Sequence, residues 1–203
     1  MPKVLIMTGD AGESLEVMYP LQRLQEEGIE VHIAAPERRP IQTVVHDFVE
    51  GFDTYTEKLG YRVPVDIAFV DVRPEEYAAL VIPGGRAPEY LRNNPEARRI
   101  VAHFYAEEKP VGQLCHGPLI PAAAGLLKGH RTAAYNACEP DIAMAGGTFV
   151  NSDAVVDGQI VSGRAWPDHP GFMREFMRLL RAAIAKGTPE PATVGAAGSQ
   201  PER

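Results

Sequence analysis

Cysteine is scarce in this chain. Only Cys115 and Cys138 occur among 203 residues, too few for a disulfide framework and in keeping with a reducing cytoplasm. No apolar run approaches the ~18–20 residues that cross a bilayer, so no membrane association is expected. The opening run, Val4-Leu5-Ile6-Met7, is broken at Gly9 and is too short for a signal peptide. Positive charge is also short: 20 Lys and Arg stand against 27 Asp and Glu, a net charge of −7, so no nucleic-acid partner is indicated. The six histidines and two cysteines show no zinc spacing, Gly9 and Gly12 do not form a dinucleotide fingerprint, and there is no phosphate-binding loop motif. No metal or cofactor is therefore called for.

What is present is globular: 45% apolar and 23% charged residues, enough chain to bury a full core. Short β-branched runs alternate with longer amphipathic ones. Val4–Met7, Val31–Ala35, Leu80–Ile82 and Pro110–Leu114 read as buried strands. Ser14–Glu27, Asn94–Glu108, Pro118–Leu127 and Phe172–Ile184 read as helices. Ala154–Val156 and Ile160–Ser162 flank Asp157-Gly158, a hairpin signal. Strand and helix in alternation mean an α/β fold with a mostly parallel sheet covered on both faces. The reading is one domain over 1–186. Within it, 37–64 is an excursion from the sheet, with Thr43–His46 and Tyr61–Val63 as short strands. The Pro, Gly, Ala and Ser content of 187–203 predicts a flexible tail. Pro20 interrupts the first helical pattern and predicts a kink there.

In parallel sheets, reactive groups collect where strands end and helices begin. That directs attention to Thr8–Glu13, Pro83–Glu89 and Leu114–Pro118. Cys115 is the leading candidate. It stands between a buried strand and Gly117-Pro118, the position of a nucleophile on a sharp strand-to-helix turn. Unsatisfied N–H groups at the helix start favour a thiolate and predict a thiol pulled from about 8.5 toward roughly 3.5–7.5. His116 follows directly. Adjacent residues rarely make a linear Cys–His bond, so its backbone N–H is the more obvious contributor, as an oxyanion donor, with its ring as a pH-sensitive partner. Gly84 and Gly85 let backbone approach a ligand and leave N–H groups free. Glu13 lies between the first strand and first helix; beside a thiolate, one of the two groups would hold a proton and act as general acid or base. Glu16 and Asp10 compete with it on spacing. Cys138 reads as structural, and Trp166–Pro170 as a rigid aromatic turn.

Together, Leu80-Val81-Ile82-Pro83-Gly84-Gly85-Arg86-Ala87-Pro88-Glu89, Cys115-His116-Gly117-Pro118 and Glu13-Ser14-Leu15-Glu16 resemble the DJ-1/ThiJ/PfpI superfamily. The likeness runs over residues 3–185. The elbow and the Gly-Gly-Arg-Ala-Pro-Glu run resemble the PfpI-type intracellular proteases. His46-Asp47-Phe48, Thr54-Tyr55-Thr56-Glu57-Lys58 and Ala165–Pro170 add a likeness to the plant DJ-1-like glyoxalase III branch. The resemblance implies a flavodoxin-like three-layer sandwich with Cys115 as nucleophile and Glu13 as its protonated carboxyl partner. It implies Gly85 and His116 as oxyanion donors, and Glu89 reaching the histidine of a neighbouring subunit in a homo-oligomer.

Three activities follow from that likeness. The first is a glutathione-independent glyoxalase acting on a small aldehyde, methylglyoxal or glyoxal, through a Cys115 hemithioacetal. The second is a cysteine peptidase or amide hydrolase with a Cys115–His116–Glu89 triad shared between subunits. The third is a redox sensor with chaperone-like action, its Cys115 oxidised beside Glu13.

Overall fold

The computed structural model describes residues 2–187; the tail expected over 187–203 lies, apart from Gly187, outside the described residues. In chain order the elements are β1 (Lys3–Met7), α1 (Ser14–Glu26), β2 (Glu30–Ala35), β3 (Ile41–Asp47), β4 (Thr56–Val63), β5 (Ile67–Ala68), β6 (Ala79–Ile82), α2 (Ala87–Leu91), α3 (Pro95–Ala106), β7 (Val111–Leu114), α4 (Leu119–Ala123), β8 (Arg131–Thr132), α5 (Glu139–Met144), β9 (Thr148–Phe149), β10 (Val155–Asp157), β11 (Ile160–Gly163) and α6 (His169–Gly187). Among the described residues no helix is long and apolar enough to cross a membrane.

Seven strands form one sheet in the order β10-β11-β7-β6-β1-β2-β5. All neighbours pair in parallel except β10 with β11, which form the expected hairpin. The five inner strands, numbered by their own sequence, run 2-1-3-4-5, the flavodoxin-like arrangement. Period-two alternation divides the core. Leu5, Met7, Leu80 and Ile82 face a layer with Ala97, Ile100, Val101 and Phe104 of α3. Val4, Ile6, Ala79 and Val81 face the opposite layer, with Val17 and Leu24 of α1 and Phe172, Phe176 and Leu180 of α6. Both faces of the central strands are buried, which explains their unbroken apolar runs.

Element ends follow capping chemistry. Asn94 accepts from the N–H groups of Glu96 and Ala97 and starts α3, with Pro95 in its first turn. Helix α1 continues through Pro20, which is buried and has no N–H to donate to the carbonyl of Glu16. The excursion is a two-stranded antiparallel hairpin, β3 with β4, and does not join the main sheet. It is stitched to the loop after β1 by Ala11 N–H to Gln42 O (2.8 Å) and Val44 N–H to Gly12 O (2.9 Å). The hairpin therefore hangs over the carboxyl ends of the strands.

Helix α6 lies close to β7 because position 112 has no side chain. A Cβ there would stand 2.8 Å from Phe172 Cζ and 3.0 Å from Phe176 Cδ2. Gly112→Ala should therefore cost about 1–3 kcal/mol by overpacking, read as a lower urea midpoint at unchanged slope. An unshifted midpoint would show that α6 moves away without penalty.

Candidate active site at the end of the central strands

The sheet order reverses between β1 and β6, and the loops that follow them diverge to leave a crevice. Cys115 enters this crevice from β7. Its backbone has φ 54°, the left-handed region that L-residues rarely adopt. The conformation is held from both sides: Cys115 N–H donates to Gly163 O (3.1 Å), and Tyr135 N–H donates to Cys115 O (3.0 Å). Gly117 closes the turn through its N–H to Leu114 O (2.6 Å). Gly84 packs against the cysteine so tightly that a Cβ would meet Cys115 Cβ, Glu16 Oε2 and His116 N.

The sulfur has a nearer imidazole than the sequence led us to expect. Cys115 Sγ and His116 Nδ1 are 3.2 Å apart. The left-handed backbone at Cys115 turns two consecutive side chains to the same side, which an extended or helical chain would not do. Burial drives His116 down to about 4, so its ring is neutral at physiological pH and Nδ1 can accept the thiol proton. On its far side, His116 Nε2 stands 3.7 Å from Glu89 Oε1 of the same chain. This is an ion-pair distance, too long for a hydrogen bond. The expected Cys115, His116 and Glu89 are thus brought together within one chain.

The carboxyl beside the sulfur is Glu16, not Glu13. Glu16 is buried, its Oε2 accepts from Gly84 N–H at 2.6 Å, and its charge bears directly on Cys115. Burial and the negative charge of Glu13 push Glu16 up to about 8. Glu13 is the N-cap of α1, its Oε2 accepting the Glu16 N–H at 2.8 Å. Burial raises Glu13 as well, against the hydrogen bonds it accepts from backbone. The reason for the exchange is helical geometry. A glutamate at the third helical position ordinarily reaches back to the cap N–H; here the Glu13 N–H donates to Gly84 O (3.3 Å), and Glu16 accepts from Gly84 N–H instead. The spacing Glu13-x-x-Glu16 is that of a cap and its third helical residue, a signal that separates the two roles. Asp10, the other competitor, is held by Arg39 (2.7 Å) and Gln42 N–H (2.8 Å) at the base of the hairpin.

Backbone N–H groups of Gly85 and His116 bear on the sulfur and favour its anion, as the expected oxyanion pair would; Gly84 N–H serves Glu16 instead. These donors do not dominate. Burial, and after it the Glu16 charge, push the Cys115 thiol well up, opposite to the lowering expected from a helix start. Helix α4 has five residues and supplies little dipole, and only 3% of Cys115 is exposed. The thiol is therefore protonated at rest, with His116 Nδ1 at 3.2 Å from its sulfur.

An aromatic cover closes the site, and sequence reasoning assigned it no role. Tyr55 stacks on His46 at 4.0 Å and meets His116 and Tyr135 edge-on at 6.0 and 5.3 Å. Tyr135 stacks on His116 at 5.3 Å. His46 Nε2 pairs with Glu57 Oε2 at 2.8 Å, and Glu57 takes both arms of Arg86 at 2.7 Å. Trp166 donates to His46 O at 3.0 Å. The signals were the hairpin residues and Ala165–Pro170 in the family resemblance, the latter read as a rigid aromatic turn. Cys138 is buried behind Tyr135, where burial drives its thiol up to about 12. Among the described residues no group of three or more His, Cys, Asp or Glu is placed to hold a metal ion.

A 2-1-3-4-5 sheet with a left-handed cysteine elbow and a buried carboxyl beside the sulfur defines a flavodoxin-like α/β protein with a buried thiol at its switch point. The model of the DJ-1/PfpI family matches residues 2–179. The chain belongs to that family. It is 44% identical over 179 residues to a deglycase of Pyrococcus horikoshii, covering 88% of this chain and 99% of that one. It is 43% identical over 190 residues to DJ-1 homolog D of Arabidopsis thaliana, covering 90% of this chain but only 49% of the plant protein. The chain thus spans about half the plant relative and nearly all of the archaeal one. A ThiJ/PfpI domain protein of Brachyspira murdochii shares the fold, with TM-score 0.77 and 19% identity over 89% of this chain and 96% of that one.

Glu16 gives the site a measurable signature. Its folded value, about 8, lies above the 4.5 of an unfolded carboxyl, so between those values the unfolded chain releases a proton that the folded chain retains. The stabilisation is complete below about 4.5 and is lost as pH rises through about 8, with a slope of up to about 1.4 kcal/mol per pH unit. Glu16→Gln should remove that slope in urea melts between pH 5 and 8. Parallel pH profiles for the two proteins would place the buried proton elsewhere.

Proposed function

We propose that the chain is an aldehyde-processing enzyme of glyoxalase type, converting methylglyoxal or glyoxal to the corresponding 2-hydroxy acid. The observation that carries this reading is the Glu16 carboxyl, raised to about 8, beside the Cys115 thiol. A group poised near neutrality can both take and return a proton. The name of the Pyrococcus relative, a deglycase, supports action on aldehyde-derived groups.

The steps follow from the geometry. Cys115 Sγ adds to the aldehyde carbon as its proton passes to His116 Nδ1, 3.2 Å away. The carbonyl π bond breaks, and the new oxyanion meets the N–H groups of Gly85 and His116 before taking the proton from His116. Glu16 in its ionised form removes the C1 proton, giving an enediolate with its charge on the C2 oxygen, and returns that proton to C2 as the C1 hydroxyl proton passes to the C2 oxygen. The product is a 2-hydroxyacyl thioester. Water cleaves its C–S bond, releasing the acid and restoring the thiol. The sum is one aldehyde and one water to one hydroxy acid, with no external oxidant or reductant.

One observation favours a second reading, an amide hydrolase. Cys115, His116 and Glu89 form a nucleophile–base–carboxylate series within the chain, at 3.2 and 3.7 Å. The outer distance is loose and Glu89 is half exposed, which weakens its hold on the imidazole. Redox sensing has less support, because a thiol pushed up by burial is poorly suited to oxidation.

The decisive assay is lactate release from methylglyoxal without glutathione. Cys115→Ala should abolish it. Glu16→Gln should lower kcat about 10²–10⁴-fold while iodoacetamide still alkylates Cys115. Glu13→Gln should retain turnover. Full lactate production by Glu16→Gln would overturn the mechanism, and peptide cleavage without lactate would transfer the assignment to the hydrolase.

A further inference from the structure

We propose that Tyr55 is a catalytic residue of this site, its phenol donating a hydrogen bond to the second oxygen of an α-oxoaldehyde bound at Cys115. The inference rests on the glyoxalase reading and names the group that distinguishes a dicarbonyl from a simple aldehyde.

Three ring contacts fix the Tyr55 side chain over the crevice: His46 behind it at 4.0 Å, with His116 and Tyr135 edge-on. Its phenol lies near enough to Glu89, Cys115, Tyr135 and Glu57 for their charges to act on it, and its ring meets His116, the residue whose Nδ1 is 3.2 Å from the Cys115 sulfur. Burial and those charges raise it to about 12, which leaves it a neutral donor throughout the working range. Yet this hydroxyl has no hydrogen-bond partner among the described residues. The other tyrosines around the strand ends are engaged: Tyr135 with Thr54 at 3.2 Å, Tyr90 with Asp10 O at 3.1 Å.

Donor supply makes the vacancy meaningful. An α-oxoaldehyde brings two oxygens. The N–H groups of Gly85 and His116 serve the one on the carbon joined to sulfur, and Gly84 N–H is committed to Glu16. The second oxygen must find its donor in the cover. His46 Nδ1 is also unpaired, but that ring is buried beneath Tyr55. Tyr55 is the tyrosine of the cover whose hydroxyl bonds no other described residue, and its ring lies against His116 beside the sulfur.

The position is also built. His46, stacked on Tyr55, is held by Glu57, and Glu57 is held by both arms of Arg86. Arg86 adjoins Gly85, whose N–H bears on the sulfur. One continuous set of contacts thus ties the phenol to the oxyanion loop.

The test compares Tyr55→Phe with the native protein by protection of Cys115 from iodoacetamide, followed by mass spectrometry, using methylglyoxal and propanal as probes. The variant keeps the ring and its stacking, and propanal keeps the aldehyde but lacks the second oxygen. We expect methylglyoxal to protect the variant about ten-fold less well while propanal protects both proteins equally. Lactate kcat should fall in parallel. Equal protection by methylglyoxal in the two proteins would overturn the assignment. So would an equal loss for both aldehydes, which would make Tyr55 part of the cover alone. A native protein that yields no lactate would overturn the glyoxalase reading, and the protection ratio would still decide whether Tyr55 recognises the second oxygen.

Discussion

The bond on which the site depends is the one from Gly84 N–H to Glu16 Oε2. It joins the first turn of α1 to the loop after β6 across the switch in strand order. Ionised, the carboxyl would be isolated in a buried space beside a thiol and a second carboxyl. Protonated, it satisfies one oxygen with the glycine and offers a proton at the other. Burial and the neighbouring carboxyl support this state against the N–H groups of Gly84 and Trp166, which favour the anion. Glu13 caps α1 and supplies the repulsive charge, Gly84 leaves no side chain between carboxyl and sulfur, and the sheet excludes water from below.

The scaffold was legible because its signals are local. Leu80–Ile82 ending in Pro83-Gly84-Gly85, and Val111–Leu114 ending at Cys115-His116-Gly117, carry their strands and turns in adjacent residues. Period-two burial and the Asn94-Pro95 helix start are equally local. The exchange of Glu13 for Glu16 was harder. Both are acidic, three residues apart, and which one reaches the sulfur depends on where the cap falls, a matter of one helical turn. The Cys115–His116 bond escaped because it depends on a positive φ at a non-glycine residue, which composition does not announce.

The cover was hidden for a different reason. Its hairpin has no clean hydrophobic period, since β4 is largely exposed and β3 is buried against the loop after β1 and the start of α1. Its placement comes from pairings thirty or more residues apart, Gln42 with Ala11 and Gly12 with Val44, and from the Arg86–Glu57 ion pair. Such contacts are visible only after the fold has brought them together. The result is a two-part site: the strand ends carry Cys115 and His116, and the excursion places His46 and Tyr55 over them.

The left-handed backbone at Cys115 has an implication for how such a protein changes over time. An L-residue in that region costs roughly 1–2 kcal/mol relative to glycine. The elbow is therefore a place where stability and reactivity pull in opposite directions. Drift that favours only a sturdier fold would replace the cysteine first, and the sheet, the glycine loops and the aromatic roof would survive it. A relative with this architecture and glycine at the elbow would be a better-folded protein that had given up its chemistry, so shared shape alone is a poor witness to shared activity among such chains.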